Sequence, residues 1–172
     1  MGSDAFAPAY RVATEKVTRF FGHYELGALE AEVVSCSSEA KGYEAANVLD
    51  GNPGTMWHTP WSGNVPRFPH ELVVKLPRKE GLTGVILLPR QDGNRNGWIK
   101  DVEILLSDDG QSWSNPVAKS TLEPNASLKR LRFQHAGTDQ GLSTRYVKVR
   151  ALSGFDDQPF ASLADFGVVR AE

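Results

Sequence analysis

Residues 51 to 61 read GNPGTMWHTPW, two tryptophans and a histidine set among turn-forming residues. Glycine and proline interrupt the stretch too often for a helix, so its side chains must be displayed from loops. Immediately upstream, in NVLDGNPGT, Asn47, Asp50, Asn52 and Thr55 place side-chain oxygens at i, i+3, i+5 and i+8. Calcium takes about six to eight hard oxygens at roughly 2.3–2.6 Å, and a glycine-containing loop can bend backbone carbonyls inward to supply some of them. An EF-hand is excluded, because the bidentate glutamate it needs would fall at Trp61. The run Asp50-Gly51-Asn52-Pro53 is equally that of a plain turn. Spacing alone leaves both readings open.

Catalytic constellations are missing. The chain has no G-x-S-x-G and no H-E-x-x-H, and Cys36 lies in a polar serine run without a motif partner. Asp108 and Asp109 are adjacent and belong to a turn. Catalysis by this chain is therefore not expected. Nineteen Lys and Arg against 21 Asp and Glu leave a formal charge of −2, with no basic stripe to neutralise phosphates. Nucleic acid and anionic membrane are accordingly not expected as partners. The longest apolar runs, such as GVILL (84–88), fall far short of the roughly 20 residues that span a bilayer. The start, MGSDAFAPAY, lacks the layout of a signal peptide, which suggests an excised module or mature fragment. A single cysteine rules out an internal disulfide without deciding the redox compartment.

The elements that must position these loops are strands. From residue 31 onward, short runs of period-two alternation are separated by Gly, Pro, Asn and Asp. Candidate strands are 31–35, 71–76, 83–88, 102–107, 128–133, 145–152 and 165–171, a number that suits an antiparallel sandwich or barrel. Asp108-Asp109-Gly110 supplies a tight turn, with Trp113 expected as a core ring beneath it. Alternation turns Trp57 inward. Trp61 divides between loop packing and a ligand platform, and Trp98 is expected to anchor the following strand. Arg90, after a strand and a proline, would by itself be a solvated strand-end charge or an ion-pair partner. Asp156 and Asp157 read as a solvated loop tip. In residues 1–30, Ala13, Val17, Phe20, Phe21 and Tyr24 fall at helical spacing, while Val17, Arg19 and Phe21 alternate as a strand would. That segment is read as an extension or the remnant of a preceding domain, and 31–172 as the domain proper.

Several fragments occur in one order: Ala46–Asn52 (ANVLDGN), Thr55–Thr59 (TMWHT), Pro89–Gly93 (PRQDG), Asn96-Gly97, Ser107–Gly110 with Trp113, and Ala161–Phe166 (ASLADF). Together they resemble the factor V/VIII type C, or discoidin, domain, and within it the bacterial family 32 carbohydrate-binding modules. The resemblance covers roughly residues 31 to 171. It implies an all-β, galactose-binding-like sandwich (jelly roll) of antiparallel strands. It also implies a structural calcium held by the Asn47 carbonyl, Asp50, Asn52, Thr55, the Ala164 carbonyl and Asp165, where the family usually carries glutamate. The sugar-binding positions it implies are His58, Trp61, Arg90 and Asn96, with an aromatic from SGFDDQPF; of the two there, Phe155 is preferred and Phe160 assigned to the core. Such a module would bind terminal galactose, N-acetylgalactosamine or a related hexosamine and target an attached glycoside hydrolase, outside the cell or in the periplasm. The alternative is a structural or protein-docking module without a sugar site. The two differ in whether His58, Arg90 and Asn96 converge; side chains that are scattered or salt-bridged away would favour the second. Lipid binding is disfavoured because the loops lack basic and greasy spikes.

Overall fold

The computed structural model describes residues 31–134 and 140–171; the readings made for 1–30 lie outside the described residues. Among the described residues nine strands follow one another: Glu32–Cys36 (β1), Trp57–His58 (β2), His70–Leu88 (β3), Asp101–Ser107 (β4), Ala118–Thr121 (β5), Lys129–Arg132 (β6), Leu142–Ala151 (β7), Ser162–Leu163 (β8) and Asp165–Arg170 (β9). All their pairings are antiparallel. The fold is the all-β antiparallel architecture that alternation predicts, in the sandwich form that the resemblance implies.

Two expected strands, 71–76 and 83–88, are one. The segment between them carries Pro77, Arg78 and Lys79, which looks like a turn but is accommodated within β3 where its register against β7 shifts between Lys75 and Glu80. A proline cannot donate to a ladder, and an irregularity of this kind is one of the few places a sheet tolerates it. The continuity of β3 organises the molecule. Its first part lies between β1 and β7, which leads on to β4 and β5, whereas Gly84–Leu87 lie between β6 and β9.

Period-two alternation builds the core. Leu72, Val74 and Leu76 of β3, Val102, Ile104 and Leu106 of β4, Val147, Val149 and Ala151 of β7, and Phe166 and Val168 of β9 turn to one cluster. Full burial of each larger side chain is worth about 1.5–3 kcal/mol. On the outer face, Glu71, Arg150, Glu103 and Lys119 stand directly opposite one another across four strands. Their charges alternate, with Arg150 Nε 2.6 Å from Glu71 and Lys119 Nζ 2.9 Å from Glu103.

The ring beneath the Asp108–Gly110 turn is not Trp113. A Cβ at Gly110, whose φ is +74°, would lie 3.1 Å from the Tyr146 ring, while Trp113 is half-buried with Lys148 Nζ 4.3 Å from its ring centroid. Trp57 is in the core as alternation requires, its Nε1–H donating to the Ser38 carbonyl at 2.9 Å. Ahead of β4 the buried residue is Ile99, and Trp98 is only partly covered.

Candidate functional site

The two-residue strand β2 pairs with β8, setting Trp57 opposite Leu163 and His58 opposite Ser162. Successive residues of a strand point to opposite sides. Trp57 therefore enters the core, and His58 faces a cleft of about 310 Å³ lined by Tyr43, His58, Trp61, Arg90, Asn94, Asn96 and Phe160. Backbone bonds fix the floor: His58 N–H donates to the Tyr43 carbonyl, and Ala40 N–H to that of His58.

His58 is 3% exposed, with Nδ1 2.6 Å from the Thr59 carbonyl. A carbonyl can only accept, so Nδ1 carries the proton and Nε2 is left as an acceptor. Burial, seconded by the Arg90 charge, pushes the imidazole pKa below its ordinary value against the opposing pull of the Thr59 and Asn96 carbonyls and the Asp92 charge; the ring stays neutral at physiological pH. Gly97 protects this edge. Its φ is +81°, and a Cβ there would lie 2.8 Å from Ser162 Oγ and 3.0 Å from His58 Nε2, so conformation and space both require glycine.

Trp61 is the large ring at the mouth. It packs T-shaped against Tyr43 (centroids 5.2 Å apart) and His58 (4.8 Å), yet remains 47% exposed. Phe160 lines the same cleft, its ring tilted 39° to that of His58 with centroids 5.4 Å apart. Of the two aromatics offered by the SGFDDQPF loop, Phe160 lines the cleft and Phe155, the one preferred from sequence, does not. Phe155 begins a bend in which Asp156 and Asp157 both adopt left-handed φ values, +60° and +53°. The bend brings the later aromatic, expected in the core, against His58. His70 Nε2 lies 2.6 Å from the Pro159 carbonyl and secures the end of that bend.

Arg90 is 8% exposed and is neither solvated nor withdrawn. Its Nε–H and Nη2–H donate to the two oxygens of Asp92 at 2.9 and 2.5 Å, and its Nη1–H to the Asn96 carbonyl at 3.0 Å. A guanidinium has five N–H groups; two, one on each Nη, are left over at the cleft. These bonds hold the Asp92 carboxyl below the usual carboxylate range. Asn96 accepts at Oδ1 from Gln158 Nε2 (3.0 Å), which leaves its NH2 to donate. Thus His58, Trp61, Arg90 and Asn96 converge on one cleft. Tyr43 and Asn94 join them without having been expected; Tyr43 carries no local signal, whereas Asn94 could have been found from its i+2 spacing between Asp92 and Asn96.

A second cluster lies where the 3-10 turn Ala45–Leu49 leads into the loop before β2. Asp50 accepts from Asn52 N–H (2.8 Å) at one oxygen and lies 2.6 Å from Thr55 Oγ1 at the other, while the Asn47 carbonyl accepts from Asp50 N–H. Asn52 Oδ1 accepts from Gly54 N–H. Asp165, first residue of β9, is 0% exposed, and neither carboxylate oxygen has a hydrogen-bond partner. Burial raises its pKa to about 8, with the Asp50 charge adding to the rise. Among the described residues no three His, Cys, Asp or Glu side chains converge; the acids here are two, and further donors would be carbonyl, amide and hydroxyl oxygens.

Comparison with known proteins agrees with this architecture. Residues 33–166 match the F5/8 type C domain. A galactose oxidase of Gibberella zeae is 35% identical over 139 residues, covering 80% of this chain and 20% of that protein. A sialidase of Micromonospora viridifaciens is 31% identical over the same span and coverage. The chain thus spans about a fifth of the length of the curated relatives it matches. Among solved structures, the family 32 carbohydrate-binding module of Clostridium perfringens NanJ, in complex with galactose, superposes with a TM-score of 0.71 at 31% identity, covering 84% of this chain and 98% of that one. The chain belongs to the F5/8 type C domain family.

Proposed function

We propose that this domain is a non-catalytic carbohydrate-binding module for terminal galactose, N-acetylgalactosamine or a related hexosamine. The observation that carries the reading is the convergence of an acceptor, His58 Nε2, and donors from Arg90 and Asn96 on a cleft that the rings of Trp61 and Phe160 also line. A pyranose needs this combination: an aromatic surface for its C–H face, and donors and acceptors for its hydroxyl rim. The remaining N–H groups of Arg90 suit neighbouring hydroxyls, and His58 Nε2 suits an axial O4, whose loss would leave a buried imidazole nitrogen unsatisfied. The relative solved with galactose supports that choice. A shallow site with few contacts gives a dissociation constant of about 0.1–1 mM, useful when the module is tethered to an enzyme. A glycoside hydrolase acting outside the cell or in the periplasm suits that role, and the sialidase relative supports it.

The second reading, a docking module without a sugar site, draws on the Arg90–Asp92 ion pair, which occupies part of the guanidinium. An NMR titration with galactose, N-acetylgalactosamine and N-acetylglucosamine separates the two. Saturable shifts at the Trp61 indole and around Arg90 and Asn96 support the module; silence to tens of millimolar with all three favours docking.

The orphaned Asp165 carboxylate supports a structural calcium in the second cluster. Asp165 and Asp50 would supply its charge, with the Asn47 and Ala164 carbonyls, Asn52 and Thr55 as further oxygen donors. Its contribution would be to tie the start of the last strand to the loop before β2, a staple in a domain without a disulfide.

A further inference from the structure

We propose that Asp92 determines the specificity of this cleft: by clasping Arg90 it fixes the guanidinium and cancels its charge, so that the site takes uncharged sugars and turns away those bearing a carboxylate. The inference rests on the carbohydrate reading above and narrows its substrate class.

Four residues at i+2 spacing, Arg90, Asp92, Asn94 and Asn96, close on themselves. Asp92 Oδ1 accepts from both Arg90 Nε–H (2.9 Å) and Asn94 N–H (3.1 Å), Asn94 Oδ1 from Asn96 N–H (2.9 Å), and the Asn96 carbonyl from Arg90 Nη1–H (3.0 Å). Gly93, at φ +82°, permits the reversal. Side-on pairing through Nε and Nη2 is the bidentate geometry that locks a guanidinium plane. Asp92 thus positions the cation without lining the cleft.

The charge argument is independent of the positioning one. Among the described residues Arg90 is the one that lines the cleft and is charged at neutral pH, since His58 is held neutral and the others are Tyr43, Trp61, Asn94, Asn96 and Phe160. Nearby, Arg95 is matched by Asp156 at 2.8 Å. Without Asp92 the cleft would carry a net positive charge in a half-enclosed setting, where Coulomb attraction for a carboxylate is strong. With it, an incoming carboxylate meets a cation already neutralised and an anion beside it, a like-charge contact that disfavours the wrong ligand.

The test compares galactose with galacturonate, which differ at C6 in a hydroxymethyl against a carboxylate, for the wild type, Asp92→Asn and Asp92→Glu, together with the Arg90 Nη2–H resonance. Asp92→Asn keeps an oxygen for the Asn94 N–H and removes the charge; Asp92→Glu keeps the charge and shifts the fork. The wild type should favour galactose at least tenfold. In Asp92→Asn that preference should shrink by about tenfold or invert, the gain for galacturonate should fade with added salt, and the Arg90 Nη2–H signal, whose acceptor Oδ2 becomes an NH2 group, should lose its slow exchange. In Asp92→Glu the preference should stay with galactose while affinity falls. A preference unchanged in Asp92→Asn, or a wild type that takes galacturonate as readily as galactose, overturns the specificity role. An Arg90 signal unmoved in Asp92→Asn overturns the clasp. A wild type that binds neither sugar sinks the carbohydrate reading itself, an outcome distinct from the others.

Discussion

Asp165 permits a test in which stability, pH and metal are read together. Its carboxylate is fully enclosed, unpartnered and raised from 3.8 to about 8, so between those values the folded state binds a proton that the unfolded chain releases. The sign follows from linkage: stability contributed by the protonated form is fully present below the unfolded value and is lost as pH rises through the folded one. The slope cannot exceed about 1.4 kcal/mol per pH unit, and it flattens near 8. From pH 6.5 to 8 the metal-free protein should lose roughly 1.5 kcal/mol, or about 3–6 °C in melting temperature for a chain of this size. That window is chosen because His58 and His70 are held below their ordinary value by burial. Their contribution has the opposite sign, being lost as pH falls below about 6.5. The lowered carboxylates, such as Asp109 at about 2, act only in more acidic solution. Asp165→Asn removes the titration with little change of shape, so the difference between the two melting curves isolates it. Calcium should raise the wild-type melting temperature and most strongly at the alkaline end, where the proton no longer competes; chelator should reverse this, and neither should affect Asp165→Asn comparably. Parallel pH dependences for the two proteins would refute the titration of Asp165. A wild type indifferent to calcium and chelator would remove the metal.

Three substitutions probe the cleft itself. Arg90→Ala deletes two ligand-facing donors and should weaken galactose binding by about 100-fold, read by NMR titration, for about 1–2 kcal/mol of stability, because Asp92 is open to water and the Asn96 carbonyl retains the Ser162 hydroxyl; a collapse of the fold would mean that Arg90 is structural. Trp61→Ala removes a half-exposed ring and should lower the melting temperature by only about 2–4 °C while costing at least tenfold in affinity, so unchanged affinity would show that the ring merely packs the loop. Gly97→Ala forces a side chain to a left-handed φ against His58 and Ser162 and should cost about 1–3 kcal/mol in chemical denaturation, with shifted His58 ring resonances; a neutral outcome would contradict the tight packing on that edge.

Alternation located the long strands because one face of each is buried, and burial is what a period of two records. It could not find β2 or β8, since two residues carry no period, nor β5, of which only Ala118 is buried. Yet the β2–β8 pair turns His58 into the cleft, so the decisive element was the least visible one. The residues of the candidate site were legible through their order in a shared motif more than through local chemistry: taken alone, Arg90 read as a solvated strand-end charge or an ion-pair partner, and that the partner is Asp92 was not read. Two aromatics five residues apart in one loop could not be ranked from sequence, because the choice depends on backbone torsions. Asp156 and Asp157 are non-glycine residues at positive φ, held by contacts that come from elsewhere, Arg95 to Asp156, Gln158 to Asn96 and the Pro159 carbonyl to His70. Non-glycine residues persist in such conformations only where their surroundings over-determine them. The bend that presents Phe160 is therefore a tertiary product, and no reading of SGFDDQPF by itself could have chosen the second phenylalanine over the first.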